Sequence, residues 1–180
     1  MAYKAYFNMS QFKFSSCRWP NANDFWAILR LCMAWIFIWS FFDKLLGLGF
    51  TTAKEAAWVS GGSPTFGFLQ FATKGPFQSV FQSIAGSAIL DWVFMIGMLA
   101  IGVAFALGIG MRVAAGAGVA LFVLIYVAGF MPPEHNPFLD EHLIYAILLV
   151  ALAVAGAGRY WGLGNRWGKQ KIVKRFSFLI

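Results

Sequence analysis

Residues 88–130 read AILDWVFMIGMLAIGVAFALGIGMRVAAGAGVALFVLIYVAGF. Asp91 and Arg112 are the only charged residues in this stretch. Two apolar runs, 88–107 and 113–130, flank Gly108-Ile109-Gly110-Met111-Arg112, which reads as a tight turn. Each run approaches the roughly 20 residues that a helix needs to cross a hydrocarbon layer of about 30 Å. The pair is therefore a hairpin of two membrane helices. The same texture recurs on either side, over 25–48 and 139–158. The sequence thus predicts an all-α integral membrane four-helix bundle.

Composition agrees with that reading. Of 180 residues, 60% are hydrophobic and 12% charged, where a soluble domain carries about 25% charged residues. The mean hydropathy is +0.69. The length suits one domain. Phe and Trp are abundant, and Trp in particular suits the boundary between membrane and water. The net charge of +7 does not indicate nucleic acid, because the cations cluster at span ends and in the C-terminal tail. Cys17 and Cys32 have neither redox nor zinc spacing, and Cys32 inside the first span reads as a small hydrophobe. Residues 1–24 lack a continuous apolar core, so the first span is expected to serve as the insertion signal, started by Asn23 or Asp24 as cap.

The basic residues orient the bundle. Lys4, Lys13, Arg18, Arg30, Arg112, Arg159, Arg166, Lys169, Lys171, Lys174 and Arg175 fall on one side of an even number of spans. These are 11 of 14 basic residues, and they assign that side, with both termini, to the cytoplasm of a multi-pass cell-membrane protein. Lys44, Lys54 and Lys74 face outward with Asp43, Glu55, Glu134, Asp140 and Glu141. The outer loop 49–87 is too long for a simple connector. Within it, Phe77, Val80, Phe81 and Ile84 repeat at i, i+3, i+4, i+7. That is one apolar face of an amphipathic helix lying in the outer interface. Small residues four apart (Gly102, Ala106 and Gly110; Ala114 and Gly118; Ala151 and Ala155) permit close helix approach. Pro132-Pro133 stops the third span.

Ionisable residues in or beside membrane spans are costly and mark candidate sites. Arg30 is either a cation reaching back to the headgroups or an interior anchor for an anionic or polar ligand. Phe37, Phe41 and Lys44 lie near its face of the helix. At the outer rim, Asp43 and Lys44 end span one, Asp91 begins span two, and Asp140, Glu141 and His142 begin span four. Glu141 and His142 are spaced to meet Tyr145. Carboxylate, imidazole and phenol near a lysine can bind an anion and move protons. Equally, Asp140 and Glu141 are ordinary first-turn acids. The candidate catalytic residues are Asp91, Glu141, His142 and Tyr145; the candidate substrate-binding residues are Arg30, Lys44 and Lys74. His135 lies in a loop, which argues against paired haem ligation by the two histidines. There is no Cys-x-x-Cys, phosphate loop or dinucleotide fingerprint. No haem, metal or nucleotide is expected, and electron transfer would use a diffusible quinone or a cofactor on another chain.

Leu29-Arg30-Leu31 and Phe42-Asp43-Lys44-Leu45 resemble the first helix of the DoxX superfamily. The run Gly61-Gly62-Ser63-Pro64-Thr65-Phe66-Gly67-Phe68-Leu69, with Lys74-Gly75-Pro76-Phe77, is similar to its DoxD branch. So are Asn136-Pro137, Asp140-Glu141-His142-Leu143-Ile144-Tyr145 and Ala157-Gly158-Arg159. The resemblance covers roughly 25–168, the transmembrane domain, between a cytoplasmic segment 1–24 and a basic cytoplasmic tail 169–180. It implies a membrane subunit of a thiosulfate:quinone oxidoreductase, which joins two thiosulfates into tetrathionate and passes the electrons to quinone. It also implies a second small subunit. No catalytic cysteine is seen on the outer face. The alternative is a non-catalytic accessory or structural subunit of a larger respiratory or membrane-oxidase complex.

Overall fold

Capping side chains set the starts of the first and last of the long helices, and the first start differs from expectation. In the computed structural model, which describes residues 21–129 and 138–180, α1 runs Ala22–Leu46. Its cap is Asn21, earlier than Asn23 or Asp24. Asn21 Oδ1 accepts from the amides of Asn23 (2.9 Å) and Asp24 (3.2 Å), while Asp24 Oδ2 accepts from the Asn21 amide (3.0 Å). This reciprocal box satisfies amides that an isolated helix start leaves without partners. Gly47, at φ 65°, ends the helix in the left-handed conformation that glycine tolerates. Residues 1–20 and 130–137 lie outside the described residues. With them go Lys4, Lys13, Arg18, Cys17, Pro132-Pro133, Glu134, His135 and Asn136-Pro137.

After α1 the chain makes 3-10 turns at Lys54–Ala56 and Trp58–Ser60, a π-helical turn at Phe68–Ala72 and a short helix α2, Gln78–Ser83. Helix α3 spans Ala88–Leu107, as the apolar run predicts. Helix α4 spans Met111–Ala128, starting two residues earlier than Val113, directly after Gly110. Helix α5 is Glu141–Val154, shorter than the expected 139–158. Asp140 caps its start, and Gly156 at φ 61° turns the chain into a 3-10 turn at Ala157–Arg159. Two small helices follow, α6 at Gly164–Trp167 and α7 at Lys171–Arg175. No strand occurs among the described residues.

Three helices, α1, α3 and α4, are long and apolar enough to cross a membrane. Only 33% of each apolar window is buried inside the protein. The remainder presents side chains such as Trp35, Ile89, Val93 and Leu124 outward, and so large an apolar surface belongs in lipid. This is a helical membrane protein. At about 1.5 Å per residue, the 14 residues of α5 rise about 21 Å.

Helix α1 packs along α3, α3 against α4, α4 along α5, and α5 returns to α1. Met33, Phe37, Met95, Met98, Phe105, Phe122, Leu149 and Leu152 fill the space between them. Two small residues from the expected stripes sit at these contacts. A Cβ at Gly102 would come within 2.7 Å of Ile38 on α1, and one at Gly118 within 2.5 Å of Leu149 on α5. Cys32 is a free thiol on the exposed face of α1, so it does not contribute to this interior.

Candidate functional site

The buried charges have been placed by the loops and chain ends around them. Arg30 is fully buried. Its Nη1 donates to the carbonyls of Phe105 and Ala106, the latter at 2.7 Å. Its Nη2 donates to the carbonyls of Tyr160 (3.3 Å) and Trp161 (3.2 Å). The last carbonyls of a helix lack partners within it, and they carry partial negative charge. Arg30 supplies the missing donors at the end of α3 and ties them to the segment after α5. It therefore neither reaches back to headgroups nor stands open to a ligand. Around it the chain packs backbone to backbone: a Cβ on Gly158 would lie 2.3 Å from the Gly108 carbonyl oxygen. The Leu163 amide donates to the Leu107 carbonyl at 2.8 Å. Trp161 holds φ 52°, a left-handed conformation unusual for a bulky residue.

At the opposite end, two carboxylates pin the long loop. Asp43, at the end of α1, accepts from the amides of Phe50 (3.2 Å) and Thr51 (2.9 Å) and from the Thr51 hydroxyl (2.6 Å). Asp91, in the first turn of α3, accepts through Oδ1 from Ser63 Oγ (2.9 Å), the Thr65 amide (3.1 Å) and Thr65 Oγ (2.6 Å). Charge-assisted hydrogen bonds of this kind are about twice as strong as neutral ones. The hydroxyl partners belong to the Gly61-Gly62-Ser63-Pro64-Thr65 run. Its polar residues were the available signal for this role, which sequence reasoning did not draw. The Lys74 amide donates to the Ala128 carbonyl at 2.9 Å, joining the loop to the end of α4. The Lys74 side chain is exposed. Lys44 is half-buried, with Nζ 3.4 Å from Thr51 Oγ.

The start of α5 holds the remaining candidates. Asp140 Oδ1 accepts from the Leu143 amide at 3.0 Å, and its Oδ2 lies 2.8 Å from His142 Nδ1. Such a carboxylate favours the tautomer with the proton on Nδ1, leaving Nε2 as the acceptor. The His142 ring packs on Phe122 of α4, centroids 5.9 Å apart, and Tyr145 packs on the same ring at 5.6 Å. Phe122 in turn meets Phe37 of α1 at 5.2 Å. Glu141 is exposed. The ligand-capable atoms of Asp140, Glu141 and His142 lie within 4.8 Å of one another. Capping and the imidazole contact already employ both Asp140 oxygens.

The structure thus brings His142 and Tyr145 together on Phe122, with Asp140 bonded to the His142 ring. Asp91 and Lys44 instead bond to loop residues, and Arg30 lies at the other end. No protein-family model, curated protein or solved structure matches the chain.

Proposed function

We propose that the chain is a four-span, DoxD-like membrane subunit of a thiosulfate:quinone oxidoreductase, with the long loop outside and both termini in the cytoplasm. In this reading α5 completes the bundle as the fourth span, extended by the turn that follows it. Helix α2 lies in the outer interface, with Phe77, Val80 and Ile84 exposed toward lipid. The observation that carries the reading is the Asp140–His142 pair beside Tyr145, partly exposed at the loop end.

Joining two thiosulfates forms one sulfur–sulfur bond and releases two electrons but no protons. Reducing a quinone consumes those electrons and two protons. The protein must therefore attract a divalent anion and deliver protons to a lipid-soluble acceptor. Lys44 and Lys74 supply positive charge on the outer side. An imidazole oriented by a carboxylate supplies exchangeable protons. The quinone is a diffusible acceptor, and a second small subunit accompanies the chain. Asp91 acts by fixing the outer loop to the start of α3.

Kinetics in membranes that contain the chain and its natural neighbours test this assignment. Lys44→Gln is expected to raise the KM for thiosulfate more than that for quinone. His142→Ala is expected to lower kcat by about 10²-fold or more, the scale of general acid–base contributions. Unchanged kinetics in both variants would remove the assignment.

A second reading, a non-catalytic accessory subunit of a larger respiratory or membrane-oxidase complex, has its own support. Arg30, Asp43 and Asp91 all make hydrogen bonds that serve the architecture. It is favoured if deleting the chain abolishes assembly of a complex while the parent membranes lack thiosulfate-dependent quinone reduction.

A further inference from the structure

After Glu141 the sequence contains no further acidic residue, yet it contains Arg159, Arg166, Lys169, Lys171, Lys174 and Arg175. The structure fixes where these cations sit. The Trp167 Nε1 donates to the Leu179 carbonyl at 2.6 Å. The Arg112 amide donates to the Ile180 carbonyl, and Arg112 Nη1 to the Ser177 carbonyl, each at 3.1 Å. Val173 is 1% exposed and pins α7. The tail is therefore folded back onto the first turn of α4, level with the turn between two membrane-crossing helices.

Its outer surface mixes two kinds of group. Lys171, Lys174 and Arg175 are exposed, and so are Ile172, Phe176 and Phe178, at 56%, 43% and 58%. Phe176 meets Phe178 with centroids 6.0 Å apart and lies under the Arg175 guanidinium at 5.5 Å, but much of each ring still faces outward. At the boundary between headgroups and acyl chains both kinds are satisfied, the rings in the acyl region and the cations among phosphates. Between the ends of α3, α4 and α5 lies an open cleft of about 110 Å³, lined by Arg112, Arg159, Trp167, Gly156, Gly164 and Ile180, the last of which accepts from the Arg112 amide. Its lining contains two arginines and no carboxylate side chain. Arginine presents a fork of donors that matches phosphate oxygens.

We propose that residues 156–180 form a collar that binds acidic phospholipid of the surrounding membrane, with the phosphate diester of one headgroup seated between Arg112 and Arg159. This rests on the helices crossing a membrane, but not on the thiosulfate assignment or on which face is cytoplasmic.

The full chain is placed in nanodiscs of phosphatidylcholine alone, and of phosphatidylcholine with phosphatidylglycerol. Amide hydrogen exchange over 170–178 is followed, and phosphatidylglycerol retained after extraction is counted by native mass spectrometry. The expected result is slower exchange and retained phosphatidylglycerol only in the second disc type, both reduced by high salt. Each removed cation should weaken binding roughly fivefold. Lys171→Gln, Lys174→Gln and Arg175→Gln alter exposed side chains and leave the Val173 anchor intact. Arg112→Gln with Arg159→Gln should remove the retained lipid specifically. Equal exchange in both disc types overturns the proposal. So does protection reproduced by inorganic phosphate in phosphatidylcholine discs, or by an added acidic protein but not by lipid. Incorporation itself reports on the membrane assignment, and a chain that enters neither disc type overturns both readings.

Discussion

Arg30 shows how a charge inside an apolar span can be architectural. Its guanidinium bonds to four backbone carbonyls from two chain segments. Lysine has the charge but not the planar fork, and it cannot address both pairs of oxygens at once. Arg30→Lys is therefore expected to destabilise the protein by about 1–3 kcal/mol, the range for leaving buried acceptors unsatisfied. A lowered thermal midpoint in detergent checks this; an unchanged midpoint would mean the carbonyls find other donors. The sequence marked Arg30 as important because a cation in a span is costly. It could not reveal the role, since backbone carbonyls occur at every position and form no side-chain pattern. His142 and Tyr145 were easier to read, because i, i+3 spacing on one helix brings side chains together without reference to the rest of the fold. Asp91 and Lys44 were grouped with them only by sharing a membrane face, and their partners proved to be loop residues.

At the scale of elements, hydrophobic run length located α3 to the residue and α1 and α4 within three residues. The exceptions arise where local backbone chemistry overrides hydropathy. Residues 155–158 are apolar enough to continue a helix, but the left-handed Gly156 ends α5 before them. Small-residue spacing found Gly102 and Gly118, and it missed the backbone-to-backbone approach of Gly108 and Gly158, which joins the end of α3 to the turn after α5. There a methyl group would meet backbone, which cannot rotate away as a side chain can. Gly158→Ala is expected to cost about 1–3 kcal/mol, the usual range for overpacking. Gly97→Ala is the control, since a Cβ there meets nothing within 4 Å. It should be neutral or stabilising by about 0.5–1 kcal/mol through helix propensity. Thermal unfolding of the two variants in the same detergent separates packing from propensity; equal shifts would contradict the close approach.

For the whole molecule, the asymmetry of basic residues predicts a testable orientation. Single cysteines at Ser63 and Gln170, in a background lacking Cys17 and Cys32, should behave oppositely toward an impermeant thiol reagent in intact cells. Labelling at 63 alone supports outward placement of the loop, whereas labelling at 170 alone reverses the orientation. Equal labelling would require an odd number of crossings. The Arg30 junction also imposes an order on biosynthesis. Its acceptors lie 75, 76, 130 and 131 residues downstream in the chain. The first helix thus leaves the ribosome with a cation whose partners have not been made. Until residues 160 and 161 arrive, that guanidinium must borrow water, headgroups or an insertion chaperone. Synthesis of the 160–161 segment therefore closes the junction: before it, the first span carries a charge with half of its acceptors missing.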